Sequence, residues 1–114
     1  SVAHDSHNII CVGTNDEDMA FAVNRIARNR GGIVVVENGQ MLAELPLEIA
    51  GIISGKPLRE VNTLLEDAKK AAHALGVGTD IDPFMTLSFM SLPVIPTLRL
   101  TTRGVVDVNT QQYV

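Results

Sequence analysis

The sequence predicts an α/β domain (α+β-like) in which two main helices cover a small mixed sheet with β-hairpins. Three observations support this prediction. Short apolar runs are bounded by polar residues, glycine or proline, as strands are, and two longer stretches repeat apolar residues at helical spacing. An Asn-Gly pair also joins two of the apolar runs, which is typical of a hairpin. The 114 residues, 46% of them apolar, suffice for one core, and we expect a single domain over 1–114.

The first predicted strand is the continuous apolar run from Asn8 to Gly13, which fits a strand buried on both faces. Thr14 and Glu17 then match a capping box, in which two side chains satisfy free amides at a helix start. Apolar residues follow at helical spacing, with acidic residues in the first turn and arginines near the end, where the helix dipole favours each charge. Gly31-Gly32 ends this first helix.

A β-hairpin and a short helical patch come next. Ile33–Val36 and Met41–Leu45 flank Asn38-Gly39, and because both turn residues tolerate positive φ, the pair predicts a two-residue type I′ turn. Pro46 ends the second strand, since proline cannot donate to a ladder. The apolar spacing over residues 47–53 predicts a short helical patch that ends at Ser54-Gly55.

The second main helix begins with Pro57 at its first position and extends to about Leu75, before Gly76. Asp82 then fits an N-cap with proline at the first helical position, and the residues from Phe84 onward are apolar. Whether they continue as a helix is left open by the pattern.

The final segment should contain a closing hairpin. Two prolines predict an extended, irregular chain over residues 92–96. Leu98–Thr101 and Val105–Val108 are spaced to pair across residues 102–104. Much of this tail is apolar, so it either completes the core or packs on a surface outside these residues.

Charge and cysteine content exclude several functional classes. Nine Lys and Arg against 13 Asp and Glu argue against a nucleic-acid partner, because that affinity comes from clustered cations. The apolar runs are too short to cross a bilayer and no basic, signal-like region opens the chain, so we expect no membrane partner and a cytoplasmic location. The single cysteine, Cys11, excludes an internal disulfide, fits a reducing compartment and should be inert inside a strand. Phosphate-binding glycine loops, a nucleophile elbow and the zinc-deaminase signature are absent.

The one dense group of reactive side chains is the polar run His4-Asp5-Ser6-His7-Asn8. Two imidazoles with a carboxylate between them have the chemistry of metal ligands, or of a general base oriented by Asp5. A zinc site needs three or four ligands, however, and the run offers at most three, so we assign no metal ligand and no catalytic residue to this chain. The residues alone favour a simpler interpretation, a polar segment that leads into a strand. His73 is interpreted as a boundary histidine on the flank of the second main helix.

Longer blocks of sequence resemble a known family. The start of the chain is similar to the start of the C-terminal domain of bacterial adenine deaminase. The similar blocks are Ser1–Ile10, Gly13–Met19, Gly31–Val36, Leu45–Gly51, Asp82–Phe89 and Leu92–Pro96. They span nearly the whole chain, while residues 56–81 match mainly in their helical pattern.

This resemblance implies a non-catalytic C-terminal domain of an amidohydrolase that hydrolyses adenine to hypoxanthine and ammonia in purine salvage. In that family the ligands for manganese or iron lie on an upstream (β/α)8 barrel, where a metal-activated hydroxide attacks the purine C6. No such motif is present here, and His4-x-x-His7 has the wrong spacing for the family's His-x-His pair. The implied partners are the upstream barrel of the same polypeptide and, through it, adenine. The 114 residues alone should be inactive.

The resemblance also suggests a function for the opening polar run. Because barrel active sites lie at the C-terminal face, His4, Asp5, His7 and Asn8 at a domain junction are candidates to support the adenine pocket or its proton traffic. Ser1, in place of a start methionine, predicts a fragment of a longer enzyme. Apolar surface facing the barrel should also drive self-association into a homo-oligomer. The alternative is an independent α/β regulatory module that binds a ligand or protein through its apolar tail.

Overall fold

A computed structural model describes residues 1–114 and contains three helices and five strands. In chain order these are α1 (Asp16–Arg28), β1 (Gly32–Glu37), β2 (Gln40–Pro46), α2 (Leu58–Ala74), α3 (Pro83–Phe89), β3 (Leu98–Thr101), β4 (Gly104–Asp107) and β5 (Gln112–Tyr113). The predicted α/β class, with two main helices and β-hairpins, is confirmed. The strands form two antiparallel sheets, β1-β2 and β3-β4-β5, in place of the single mixed sheet expected. None of the helices has the length and apolar character needed to cross a membrane.

The β1-β2 hairpin has the predicted turn. Asn38 and Gly39 adopt φ values of 50° and 72°, both positive, as a type I′ turn requires. The register then shifts at a bulge, because Val35 pairs with Ala43 while Val36 pairs with Met41. A bulge of this kind increases the local twist of the hairpin.

The core lies between this hairpin and α2. Its buried cluster consists of Ile33, Val35, Leu45, Leu47, Ala68 and Ala72. The last two are the only buried residues of α2, and their small side chains let the helix approach the strands closely. α1 packs beside β1 and buries Ala22 and Ile26.

The N-cap of α1 differs from the predicted capping box. Asn15 is the N-cap, in place of Thr14, and its Oδ1 accepts a hydrogen bond of 2.8 Å from the Asp18 amide. Its Nδ2 also donates to the Asp18 carboxylate at 3.1 Å. Asparagine satisfies a free helix amide at least as well as threonine, so the helix begins one residue later than predicted.

Polar contacts attach α1 to the hairpin at both ends. Near its start, the Asp18 carboxylate accepts from the Asn38 amide at 3.0 Å and from the Gly39 amide at 2.7 Å. These bonds, after that from Asn15, lower the pKa of Asp18. Near its end, Arg25 donates two hydrogen bonds to Glu44 on β2. α1 therefore runs back along β1, from the end of that strand toward its start.

Two sequence predictions are wrong in this part of the chain. The predicted strand Asn8–Gly13 is not a strand, because only Asn8 is paired, in an isolated bridge with Ala3, and residues 9–14 make no backbone hydrogen bond. Cys11 is accordingly exposed, where a position inside a strand was expected. The predicted helical patch 47–53 is a turn closed by a bridge between Ile49 and Ile53, since left-handed residues at its centre interrupt any helix.

The later elements follow the predictions more closely. Pro57 is the N-cap of α2 and not its first helical residue as predicted, because its ψ of 145° is extended, and Gly76 follows the end of the helix with a φ of 107°. Asp82 caps α3 by accepting from the amides of Phe84 and Met85. The apolar run that begins at Phe84, which the pattern left open, is therefore helical as far as Phe89. Residues 92–96 are irregular as expected, but they turn where an extended chain was predicted, because the amides of Val94 and Ile95 donate to the Leu92 carbonyl. β3 pairs with β4 as expected, while β5 was not predicted.

Candidate functional site

The polar run His4–Asn8 forms a tight loop that is closed by pairing of its last residue with the residue before it. Ala3 and Asn8 form an antiparallel bridge, and the His7 amide donates to the Ala3 carbonyl at 2.9 Å. His7 itself adopts a left-handed φ of 53°. The side chains of both histidines and of Asp5 are exposed on this loop, which makes them accessible to a ligand or to another part of the protein.

His4 faces two hydrogen-bond acceptors. Its Nδ1 lies 3.1 Å from the Val2 carbonyl oxygen, and because a carbonyl only accepts, Nδ1 carries the proton of this bond. Its Nε2 lies 3.6 Å from an Asp5 carboxylate oxygen, which is too long for a hydrogen bond. Nε2 and the carboxylate are thus near each other and both free to bind a ligand.

Both histidines border a small cavity of about 290 Å³ between the end of α1 and the turn at 49–53. Arg30 also lines this cavity, and no carboxylate does. Two imidazoles and a guanidinium therefore surround one opening. Arg30 and His7 can donate to an electron-rich ligand atom, such as a ring nitrogen or a carbonyl oxygen, whereas Nε2 of a neutral His4 accepts, because its proton is on Nδ1.

Asn8 lines the same cavity, but its side-chain oxygen belongs to a serine network. Its Oδ1 accepts from Ser6 Oγ at 2.8 Å and from Ser91 Oγ at 3.3 Å, and the two hydroxyl oxygens lie 2.7 Å apart. Ser91 is only 2% exposed and follows α3, so the network ties the loop to the other end of the chain. Sequence reasoning missed this contact, although Ser88 and Ser91 stand out as hydroxyls three residues apart in an apolar stretch.

The titratable side chains do not form a metal site. No group of three or more His, Cys, Asp and Glu side chains is placed to hold a metal ion. Cys11 lies just beyond the loop, and partial desolvation raises the pKa of its thiol, which disfavours the thiolate that binds metals. The structure thus brings His4, Asp5 and His7 to one exposed loop and turns the oxygen of Asn8 toward the serines.

Comparison with known proteins identifies the family of the chain. A model of the adenine deaminase C-terminal domain matches residues 1–112. The chain belongs to this family. Adenine deaminase 2 of Carboxydothermus hydrogenoformans is 52% identical over 110 residues, which cover 96% of the chain and 19% of that relative. The adenine deaminase of Dehalococcoides mccartyi is 54% identical over 109 residues, with 96% and 19% covered, and that of Geobacillus kaustophilus is 46% identical over 114, with 100% and 20% covered.

The resemblance seen in the sequence is therefore confirmed: this chain is an adenine deaminase C-terminal domain. It spans about one fifth of the length of the curated relatives that it matches. The family match includes the His4–Asn8 loop, all three helices and both sheets except the last residue of β5, Tyr113.

Proposed function

We propose that this adenine deaminase C-terminal domain serves an enzyme that hydrolyses adenine to hypoxanthine and ammonia, in purine salvage and in the cytoplasm. The observation that carries the proposal is the similarity over the whole chain to relatives named adenine deaminase, at about half identity. Adenine then reaches this domain only through the longer protein.

The metal chemistry is assigned to the upstream amidohydrolase barrel. Manganese or iron there would supply the hydroxide that attacks the purine C6. The residues of this chain do not fit such a metal, because no three potential ligands converge. We therefore assign no bond-breaking step to them.

The His4–Asn8 loop is proposed to support the adenine pocket. Adenine presents both acceptors on its ring and a donor at its amino group. A ring N–H of His7 can donate to the ring acceptors, and the Asp5 carboxylate and the free Nε2 of a neutral His4 can accept from the amino group. His4 and Asp5, with Nε2 and the carboxylate 3.6 Å apart, could also carry a proton to or from the pocket. Asn8 would position the loop through its bonds to Ser6 and Ser91.

Single alanine substitutions of His4, Asp5, His7 and Asn8 in the full-length enzyme test this role. We expect the turnover of adenine to fall at least tenfold for one or more of the first three, with metal content unchanged. His73→Ala is the matched control, because that histidine bonds only the Val77 carbonyl at the end of α2 and should affect stability alone. Unchanged turnover in all four loop variants would refute the role, and a loss of melting temperature with intact turnover would make the loop structural.

A second experiment tests the assignment of the metal chemistry to the upstream barrel. The 114-residue chain, purified alone and supplied with manganese, should release no ammonia from adenine, whereas the full-length enzyme should. Ammonia release by the isolated chain would place the reacting metal within it and contradict the assignment to the barrel.

A further inference from the structure

A large groove runs along the free edge of β1. Its volume is about 750 Å³, and its lining is mainly apolar. Every residue from Gly32 to Asn38 lines it, although neighbouring residues of a strand face opposite sides of the sheet. Only the edge of the strand can meet both sets, so the groove opens onto the backbone of β1. The segment Ile10–Asn15 lines the opposite wall.

Beyond the contacts of Ser1 with Gly32, the backbone edges on both walls have no strand partner. Gly32 directs both its amide and its carbonyl to the free edge, where they bond Ser1 Oγ and the Ser1 nitrogen at 2.8 and 2.7 Å. Because this direction alternates along a strand, Val34 presents its polar groups at the same edge. On the other wall, residues 9–14 make no backbone hydrogen bond, and Val12 is 77% exposed. Unpaired strand edges of this kind bind further strands.

The direction of the chain is fixed at both ends of the groove. The segment after Asn8 leads to α1, whose Asp18 bonds the turn at the far end of β1, so this segment runs parallel to β1. The bridge between Ala3 and Asn8 is antiparallel. Ser1–Ala3 therefore runs antiparallel to β1, with Ser1 opposite Gly32. A chain that entered Ser1 from the N-terminal side in the same direction would run through the groove.

We propose that the groove holds a β-strand formed by the residues that precede Ser1 in a protein of the relatives' length. This strand pairs with β1 on one side and with Ile10–Val12 on the other, antiparallel to both. It continues through Ser1–Ala3, so the His4–Asn8 loop becomes the turn of a β-hairpin. Relatives of this chain are about five times as long, which supplies the occupant. The apolar lining predicts that the strand is apolar on both faces.

Engineered disulfides in the full-length enzyme test the register. The second residue before Ser1 should stand opposite Val34, about 5.5 Å away between Cα atoms, within the range of a disulfide. A cysteine there should therefore link to Val34→Cys. The matched control places the cysteine one residue closer to Ser1, where the side chain points to the other face and no link should form. Linked residues are identified by mass spectrometry after proteolysis.

The native Cys11 distinguishes the inserted strand from a competing arrangement, in which Ile10–Val12 pairs directly with β1. With a strand between them, Cys11 and β1 are about 9.5 Å apart, beyond disulfide range. Neither Val34→Cys nor Val35→Cys, one on each face, should then link to Cys11. A link from Cys11 to either residue, or equal linking in the matched control, would overturn the proposal.

Hydrogen exchange gives a readout that needs no cysteine. In the full-length enzyme the Val34 amide, and those amides among Ile10–Val12 that face the inserted strand, should exchange slowly, because amide direction alternates along a strand. Replacing the eight residues before Ser1 by a glycine-serine sequence of equal length should speed their exchange at least tenfold, while β2 amides bonded to β1 stay protected and report a folded hairpin. Fast exchange in the unmodified enzyme, or protection that survives the replacement, would refute the inserted strand.

Discussion

Glu44 on β2 anchors the end of α1, and its substitution by glutamine gives a quantitative test of that attachment. Arg25 donates through Nε and Nη2 at 2.7 and 2.9 Å, and Asn29 donates to the same carboxylate. Glutamine keeps the volume but loses the charge, and its amide group faces one of the arginine donors. Exposed ion pairs contribute about 0.2–1 kcal/mol and hydrogen bonds to charged groups about 1.5–3 kcal/mol. With side chains 41% and 20% exposed, this pair is expected at the upper end of the first range, about 1 kcal/mol.

The pH dependence of the effect has a definite sign. The Arg25 hydrogen bond, opposed by partial burial and aided by Asn29, lowers the pKa of Glu44 below its ordinary value of 4.5. A carboxyl whose pKa is lowered by folding adds stability above its unfolded pKa and loses that contribution as the pH falls through the folded pKa. Glu44→Gln should therefore lower the free energy of unfolding by about 1 kcal/mol at neutral pH, and the deficit should disappear in strong acid.

Urea denaturation of the unsubstituted chain and of the Glu44→Gln variant, monitored by circular dichroism, measures the difference in the free energy of unfolding. The melting temperature at neutral pH should fall by about 4 °C. Glu37→Gln is the matched control, because this exposed carboxylate at the end of β1 has no ion-pair partner and its loss should stay within about 0.5 kcal/mol. A deficit that persists below the folded pKa of Glu44, or one equal to that of the control, would refute the argument.

Three further stability predictions concern the cap, the core and the serine network. Asn15→Ala should lower the free energy of unfolding by about 1 kcal/mol, and Thr14→Ala by clearly less, in thermal melts; the reverse order would restore Thr14 as the cap. Leu45→Ala, at a residue 2% exposed, should cost about 2–5 kcal/mol in urea titrations, and a cost as large for the exposed Leu42→Ala would contradict the assignment of the core. Ser91→Ala should cost about 1 kcal/mol, and no measurable loss would show that its hydroxyl bonds are unimportant.

The local elements could be predicted because their signals lie within a few residues. Asn38-Gly39 specifies its turn through backbone sterics alone, and Asp82 with Pro83 specifies the start of α3. The helical spacing of apolar residues also predicts α1 and α2. The N-cap of α1 was off by one residue because Thr14 and Asn15 both have capping side chains, and tertiary contacts of Asp18 with the hairpin favour the later one.

The predictions that failed depend on contacts distant in sequence. The run Asn8–Gly13 has strand character, but a strand needs a neighbour to bond, and none of the 114 residues occupies that position. The apolar spacing over 47–53 indicates a helix, yet Ala50 and Gly51 both adopt positive φ. This turn is attached to Ser1, whose Oγ donates to the Gly51 carbonyl at 2.6 Å. No local pattern encodes a contact fifty residues away.

The candidate site was predictable only in part. The density of polar side chains from His4 to Asn8 is visible in the sequence, and the structure keeps three of them on one exposed loop. Arg30 and Ser91 could not be associated with the loop from the sequence, because they come near it only through folding.

The polar attachments of α1 and of the loop differ in a way that bears on the order of folding. Asp18 and Arg25 reach partners only 19 to 21 residues away, so the helix and hairpin can form quickly as a unit with little loss of chain entropy. The Ser6–Ser91 contact closes a loop of 85 residues and must wait for the tail. During synthesis, the segment that carries the candidate site is therefore expected to settle only after Ser91 has left the ribosome, later than the helix and hairpin.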